Sequence, residues 1–295
     1  MNQETLKNEY SIIEERIAKV VSFLEKHKDS SKYKDLYKGI STLQSPLISQ
    51  PEILFIGINN GDGAYREANN SLKTSENKTP LRWYNEPDSL FPSELNWFEK
   101  GNARGRFTEL EEKNWEGYEW YQRDKKVNNI FPKNMIDLLY AIAKLQYPEA
   151  EHNEDDNTVP FWYEELGKRV MYTNLYPIST TKVKQLKPIH VHLAKEPELR
   201  VLWKEAKSDE RTINEWVVRK YFMTSISRLV KLVEPKLIVC MGMTATNDFT
   251  FEKHKDKKIV TTERTFGDRK VPIIGFSREG NWNSIIPEIA KTIVR

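Results

Sequence analysis

The sequence has a single cysteine, Cys240, which excludes an internal disulfide and a zinc or iron–sulfur site built from four cysteines. Because Cys240 lies within an apolar run, we expect it to be a buried core residue rather than a nucleophile. No stretch approaches the ~20 apolar residues that cross a bilayer, and the first residues lack the basic and apolar regions of a signal peptide. We therefore expect a cytoplasmic protein without a membrane partner.

The net charge is also small. The formal charge of +3 is too small by itself to indicate a nucleic-acid partner. What the sequence does have is an ordinary globular composition, with 30% charged and 38% hydrophobic residues. We predict a single domain with a helical N-terminal extension (1–48) and an aromatic-rich insertion (62–131). The insertion holds four of the eight tryptophans and shows little periodicity, and long segments of this kind are usually functional.

Four apolar runs predict strands that are buried on both faces, as in a parallel sheet covered by helices. They cover residues 53–58, 169–175, 236–241 and 270–277. Amphipathic spacing predicts helices over 3–28, 31–43, 134–147, 209–233 (behind a Ser208 cap) and 283–294. Strands that alternate with helices indicate an α/β fold with a mostly parallel sheet.

Ligands of such sheets bind outside the carboxyl ends of the strands, so the residues after each strand are the candidate site. After the first strand comes Gly57-Ile58-Asn59-Asn60-Gly61-Asp62-Gly63. Its glycines allow a close approach of the backbone to a ligand, and Asn59 and Asp62 can orient a water molecule. The alternative is a tight turn of the Asn-Gly kind.

Two further strand ends carry polar groups. Asn174 offers a donor and an acceptor, as recognition of a nucleobase edge requires, but an asparagine that only caps a turn is the alternative. The last strand is followed by Ser277 and Arg278, for which the alternative is a strand-to-helix loop with Ser277 or Asn281 as the helix cap.

The segment 166–195 contains six Lys or Arg residues and no Asp or Glu. We predict that Lys182, Lys184 and Lys187 contact the phosphates of a ligand, the alternative being a solvated loop that lacks acidic residues. His190 and His192 suggest a metal, but no third ligand is evident from the spacing, so we expect neither a metal nor a cofactor.

Taken together, these segments resemble the uracil-DNA glycosylase superfamily over about 50–62, 169–178 and 235–282. Gly57-Ile58-Asn59-Asn60-Gly61 is similar to the Gly-Ile-Asn-Pro-Gly motif of the mismatch-specific branch, with Asn60 in place of proline. The resemblance implies a three-layer α/β/α sandwich with a mostly parallel sheet of about four strands. It also implies a DNA glycosylase, a hydrolase of DNA repair that excises a flipped and possibly modified base.

The resemblance also implies roles for individual residues. Asn59 falls where the family has a water-positioning Asp or Asn, and Asn174 where it has an Asn that binds the extruded base. Gly57, Gly61 and Asp62 are the other base-binding candidates. Gly61 replaces a bulky tyrosine that excludes 5-methyl groups in the classical uracil enzymes, so a larger base is admitted.

The last motif departs from the family. Its strand usually ends in His-Pro-Ser, where the histidine stabilises the departing base, whereas this chain has Phe276-Ser277-Arg278. Ser277 and Arg278 are therefore the remaining catalytic candidates beside Asn59. The alternative is a nucleic-acid- or nucleotide-binding module of the same fold without catalysis. For a nucleotide hydrolase, neither a phosphate loop nor a nucleophile elbow is present.

Overall fold

The computed structural model describes residues 2–37, 39–40, 43, 45, 47–59, 130–150, 161–206, 212–254, 257–277 and 282–295. In these ranges the α-helices are α1 (Gln3–His27), α2 (Ile130–Gln146), α3 (Phe161–Glu165), α4 (Leu186–Lys195), α5 (Arg200–Ala206), α6 (Glu215–Val233), α7 (Met243–Thr250) and α8 (Trp282–Val294). The strands are β1 (Gly39–Ile40), β2 (Ile53–Gly57), β3 (Val170–Asn174), β4 (Ile178–Ser179), β5 (Leu237–Cys240), β6 (Ile259–Phe266) and β7 (Arg269–Phe276).

The protein is a mixed α/β structure around a five-stranded, mostly parallel sheet in the order β3-β2-β5-β7-β6. The first four of these strands are parallel, and they are the four strands that the apolar runs predict. The fifth, β6, is antiparallel to β7 and was not predicted. A separate antiparallel pair joins β1 to β4.

The interior strand β2 is buried along its whole length because its alternate residues enter two different hydrophobic clusters. Leu54 and Ile56 belong to a cluster that includes the buried faces of α1, α4 and α6. Ile53 and Phe55 belong to a second cluster that includes α2 and α8. Residues on opposite faces of a strand alternate, so the continuous apolar run is what a strand between two cores requires.

Two predicted helices differ from the structure. The described residues of 31–43 do not form a helix: turns follow α1, and β1 and an isolated bridge at Leu43 come next. Tyr33 lies in these turns and Tyr37 directly after them, and both residues are buried. The helix predicted from 209 begins only at Glu215, because the Asn214 side chain accepts hydrogen bonds from the amides of Trp216 and Val217 and caps it there.

Several predicted features lie outside the described residues. They are Gly61, Asp62, Arg278, the proposed Ser208 cap and nearly all of the 62–131 insertion. Among the described helices, none is both long enough and apolar enough to cross a membrane. Cys240 is fully buried in β5, as predicted, and burial raises the pKa of its thiol.

Candidate functional site at the carboxyl edge of the sheet

The carboxyl ends of β2 and β3 meet side by side. Gly57, the last residue of β2, pairs with Asn174, the last residue of β3. Pairing continues past both strands, because the amide of Leu175 donates to the Gly57 carbonyl (2.9 Å) and that of Tyr176 to the Ile58 carbonyl (3.0 Å). The edge thus brings the residues after β2 and those after β3 together.

The Asn174 side chain is buried and held in one orientation. It is 1% exposed, and its Oδ1 accepts a hydrogen bond from the Tyr172 hydroxyl at 3.0 Å. With Oδ1 placed against Tyr172, the Nδ2 donor lies at the other end of the amide. A ligand that reaches this amide must therefore enter the protein interior.

Gly57 makes room for that asparagine. A Cβ atom at position 57 would lie 2.3 Å from Asn174 Oδ1 and 2.9 Å from the Tyr172 hydroxyl, closer than packed atoms approach. We predicted that this glycine allows a backbone turn and a close approach to a ligand. Its backbone is ordinary strand, so the requirement for glycine at this position comes from the neighbouring side chains.

Asn59 connects the end of β2 to the basic segment. Its Nδ2 donates to Thr180 Oγ1 at 2.8 Å and to the Ile178 carbonyl at 3.3 Å. The Thr180 hydroxyl in turn donates to the Lys182 carbonyl at 2.9 Å. Lys182, with the similarly exposed Lys184 and Lys187, therefore begins a cationic surface beside Asn59.

Ser277 lies at the same edge but not beside the two asparagines. It follows β7, which is separated from β2 by β5, so the two strands are roughly 10 Å apart. The Ser277 amide donates to the Lys258 carbonyl at 2.8 Å, which ties it to the start of β6. Asn59 and Asn174 thus belong to the ends of neighbouring strands, and Ser277 lies two strands away from β2.

A buried polar network adjoins this edge, and the sequence did not reveal it. Tyr176, Arg219 and Asp248 come from the segment after β3, the first turns of α6, and α7. Arg219 Nε donates to the Tyr176 hydroxyl at 2.9 Å, that hydroxyl donates to Asp248 Oδ2 at 3.0 Å, and Arg219 Nη2 donates to the same carboxylate oxygen. Burial, with the adjacent carboxylate, raises the pKa of Tyr176, so this phenol stays protonated.

His190 packs beneath this network. Its ring centroid is 4.9 Å from that of Tyr176, and the residue is 1% exposed. Burial, with Arg219 close by, lowers the pKa of His190 to about 3. His192 instead contacts Tyr33, at 5.8 Å between ring centroids. The two histidines thus have different surroundings and do not face a common ligand.

His190 should make the protein sensitive to acid. An unfolded histidine binds a proton with a pKa of about 6.5, whereas the folded protein keeps this one neutral down to a pKa of about 3. The contribution of neutral His190 to the free energy of unfolding is complete above the unfolded pKa. As the pH drops from there towards the folded pKa, this contribution falls by about 1.4 kcal/mol per pH unit.

Urea unfolding at pH 7 and pH 5 measures this dependence. Wild type should lose about 2 kcal/mol more than His190→Phe between the two pH values, since phenylalanine keeps the ring contacts and cannot bind a proton. Carboxylates titrate in both proteins and cancel in the comparison. Equal losses in the two proteins would show that His190 is protonated without cost in the folded state.

A cavity of about 290 Å³ lies at the opposite, amino end of the sheet. Its cations Lys236 and Arg169 both contact the Glu52 carboxylate, at 2.7 and 3.5 Å. Ligands of parallel sheets bind at the carboxyl ends, and the polar side chains with roles suggested by the sequence converge there. We therefore assign the candidate site to the carboxyl edge.

No protein-family model matches the sequence, and a comparison with curated proteins gave no match.

Proposed function

We propose that the protein is a DNA glycosylase that hydrolyses the N-glycosidic bond of a base extruded from DNA. The observation that carries the proposal is the pairing of the carboxyl ends of β2 and β3, because Asn174 ends β3 and Asn59 follows β2 by two residues. We also propose that the two hydrophobic clusters on either side of the sheet make the fold a three-layer α/β/α sandwich, as the resemblance implies.

In this mechanism Asn174 binds the base. Tyr172 donates to Oδ1, and the Nδ2 group at the other end of the amide is the donor that we propose contacts a carbonyl oxygen of the base. The burial of Asn174 suits a substrate that must leave the base stack to be reached.

Asn59 positions the nucleophile. Its Nδ2 is anchored on Thr180, which directs Oδ1 away from that residue to accept a hydrogen bond from a water molecule. The water oxygen attacks the sugar C1′, the C1′–N bond breaks, and its electron pair leaves with the base. The water loses a proton and the base gains one. Negative charge develops on the departing base, and Arg278 and Ser277 are the residues proposed to stabilise it.

A binding module without catalysis is the second candidate, and one observation favours it. Phe276, at the start of the stretch that replaces the family's His-Pro-Ser, is fully buried and packs on Trp282 at 5.1 Å between ring centroids.

Single-stranded and duplex oligonucleotides carrying different modified bases separate the two candidates. Release of any base supports the enzyme, binding to DNA without release supports the module, and absence of binding contradicts both.

Replacing Lys182, Lys184 and Lys187 with glutamine should weaken DNA binding and reduce its salt dependence. Each phosphate contact contributes about 0.7–0.9 to the slope of log K against log[salt], so the slope should fall by about 2–3. Titration of labelled DNA at several salt concentrations measures it.

A matched control replaces three other exposed lysines, Lys144, Lys231 and Lys291. Each lies in the last turn of a helix that leads towards the amino edge of the sheet. The control removes the same net charge but none of the predicted phosphate contacts, so it should change the slope far less. Equal effects of the two sets would mean that the basic segment acts only through net charge.

A further inference from the structure

A row of rings and guanidinium groups runs outward from the buried network. Consecutive members lie 4.6–6.2 Å apart, measured between ring centroids or from guanidinium Cζ to ring centroid. We call it the arginine–aromatic ladder; its members are Tyr176, Arg219, Trp216, Phe251 and Arg264. The ladder starts two residues after Asn174 and passes from α6 to the end of α7 and on to β6.

Arg264 is a half-buried cation whose charge is not neutralised. Its Nη1 donates to the Phe249 carbonyl at 2.7 Å, and its guanidinium stacks over the rings of Phe249, Phe251 and Phe266 at 4.6–5.2 Å. In the part of the chain that the structure describes, no carboxylate pairs with it. An anion placed against this guanidinium would supply the missing counter-charge.

Phe251 occupies a position that folding alone does not favour for phenylalanine. It follows α7 with a left-handed backbone (φ 60°), where glycine or asparagine is usual because a β-carbon is crowded there. The residue is nonetheless 47% exposed, so about half of it remains in contact with solvent. Its exposed face is available to another flat group.

The surface next to Phe251 favours a polyanion. Residues 252–258 contain four lysines against two acidic residues. Of these lysines, Lys253, Lys257 and Lys258 are exposed in the structure. Aromatic faces next to cations are the combination with which proteins bind unpaired nucleobases and their phosphates.

We propose that the arginine–aromatic ladder binds single-stranded nucleic acid, with a base stacked on Phe251 and a phosphate against Arg264. The inference rests on the proposed function, since it takes the strand at the ladder to be the one whose base enters the carboxyl edge. It specifies the substrate as an unpaired strand. Bases in a duplex are stacked on one another and cannot offer a face to Phe251.

Binding of labelled oligothymidylate of about 12 nucleotides tests the proposal, with duplex DNA of the same length and polyglutamate as comparisons. Phe251→Gly should weaken oligothymidylate binding by roughly 5-fold or more, as loss of one stacked base does. It should weaken duplex binding much less. The melting temperature should change by less than about 4 °C, because glycine relieves the crowded backbone while the half-buried ring is lost.

Two controls make the result specific. Phe251→Asn also suits a left-handed backbone and removes the ring, so it should reproduce the effect if the glycine variant is poorly folded. Ile12→Ala removes an apolar side chain that is 51% exposed on α1, and it should leave binding unchanged.

The possible outcomes separate the two proposals. If oligothymidylate and duplex bind equally and Phe251→Gly alters neither, the ladder proposal is wrong while the proposed function stands. If no oligonucleotide binds, both are wrong. If polyglutamate binds as tightly as oligothymidylate and loses as much affinity in Phe251→Gly, the ladder recognises anions in general. The assignment to nucleic acid is then overturned.

Discussion

Asn59→Ala is expected to lower the rate of base release by about 10²–10⁴-fold, because a positioned water contributes in the transition state and not to phosphate binding. DNA affinity should stay within about 3-fold of wild type, since backbone contacts dominate it. Single-turnover release from the best substrate of the oligonucleotide panel, with affinity measured in parallel, gives both quantities.

Asn59 also anchors the segment after β3 through Thr180, so a structural effect must be separated from a chemical one. Thr180→Val removes that hydrogen bond and leaves the asparagine in place. If both variants lose the same activity, Asn59 acts by holding the loop. Asn59→Asp should retain release, because the resemblance places either Asp or Asn at this position, and a carboxylate also accepts a hydrogen bond from water.

Asp248→Ala is expected to destabilise the fold by about 2–3 kcal/mol, because it leaves the Arg219 cation and the Tyr176 hydroxyl without the carboxylate that both contact. The value lies below the range for a fully buried pair because the Arg219 side chain is 28% exposed. Urea unfolding at pH 7 measures it, with an unchanged slope confirming that the same transition is compared.

Two further variants identify the origin of that loss. Asp248→Asn keeps the shape and an accepting oxygen, so it should cost about 1 kcal/mol. Adding Arg219→Met to Asp248→Ala removes the unpaired cation and should recover part of the stability. If Asp248→Ala costs less than about 1 kcal/mol, the ion pair contributes little and packing alone holds α7 against α6.

The sequence predicts those parts of the fold in which a local pattern of residues has a single structural cause. Each parallel strand is buried on both faces, so its residues form a continuous apolar run. β6 breaks that rule because one of its faces is exposed, with Thr261, Glu263 and Thr265 turned outward. Gly267-Asp268, a two-residue hairpin turn with φ 66° at the glycine, was the available signal.

The candidate site likewise has one part that the sequence predicts and one part that it does not. That Asn59 and Asn174 share one sheet edge follows from strand direction alone, which sequence can supply. The network of Tyr176, Arg219 and Asp248 could not be predicted, because its members lie on three elements that meet only through tertiary packing. The one local hint was Asp248 beside Ala245 and Phe249 on the buried face of α7.

The position of β2 in the sheet also has a kinetic consequence. β2 comes first of the five strands along the chain and lies between β3 and β5, both of which follow far later. Pairing of such distant segments requires large loops to close and is slow, whereas the β6–β7 hairpin joins neighbouring residues and forms quickly. Asn59 and Asn174 therefore meet in a late step of folding. A nascent chain has no assembled site until β3 has been synthesised, and amide exchange in β2 should be among the slowest in the molecule.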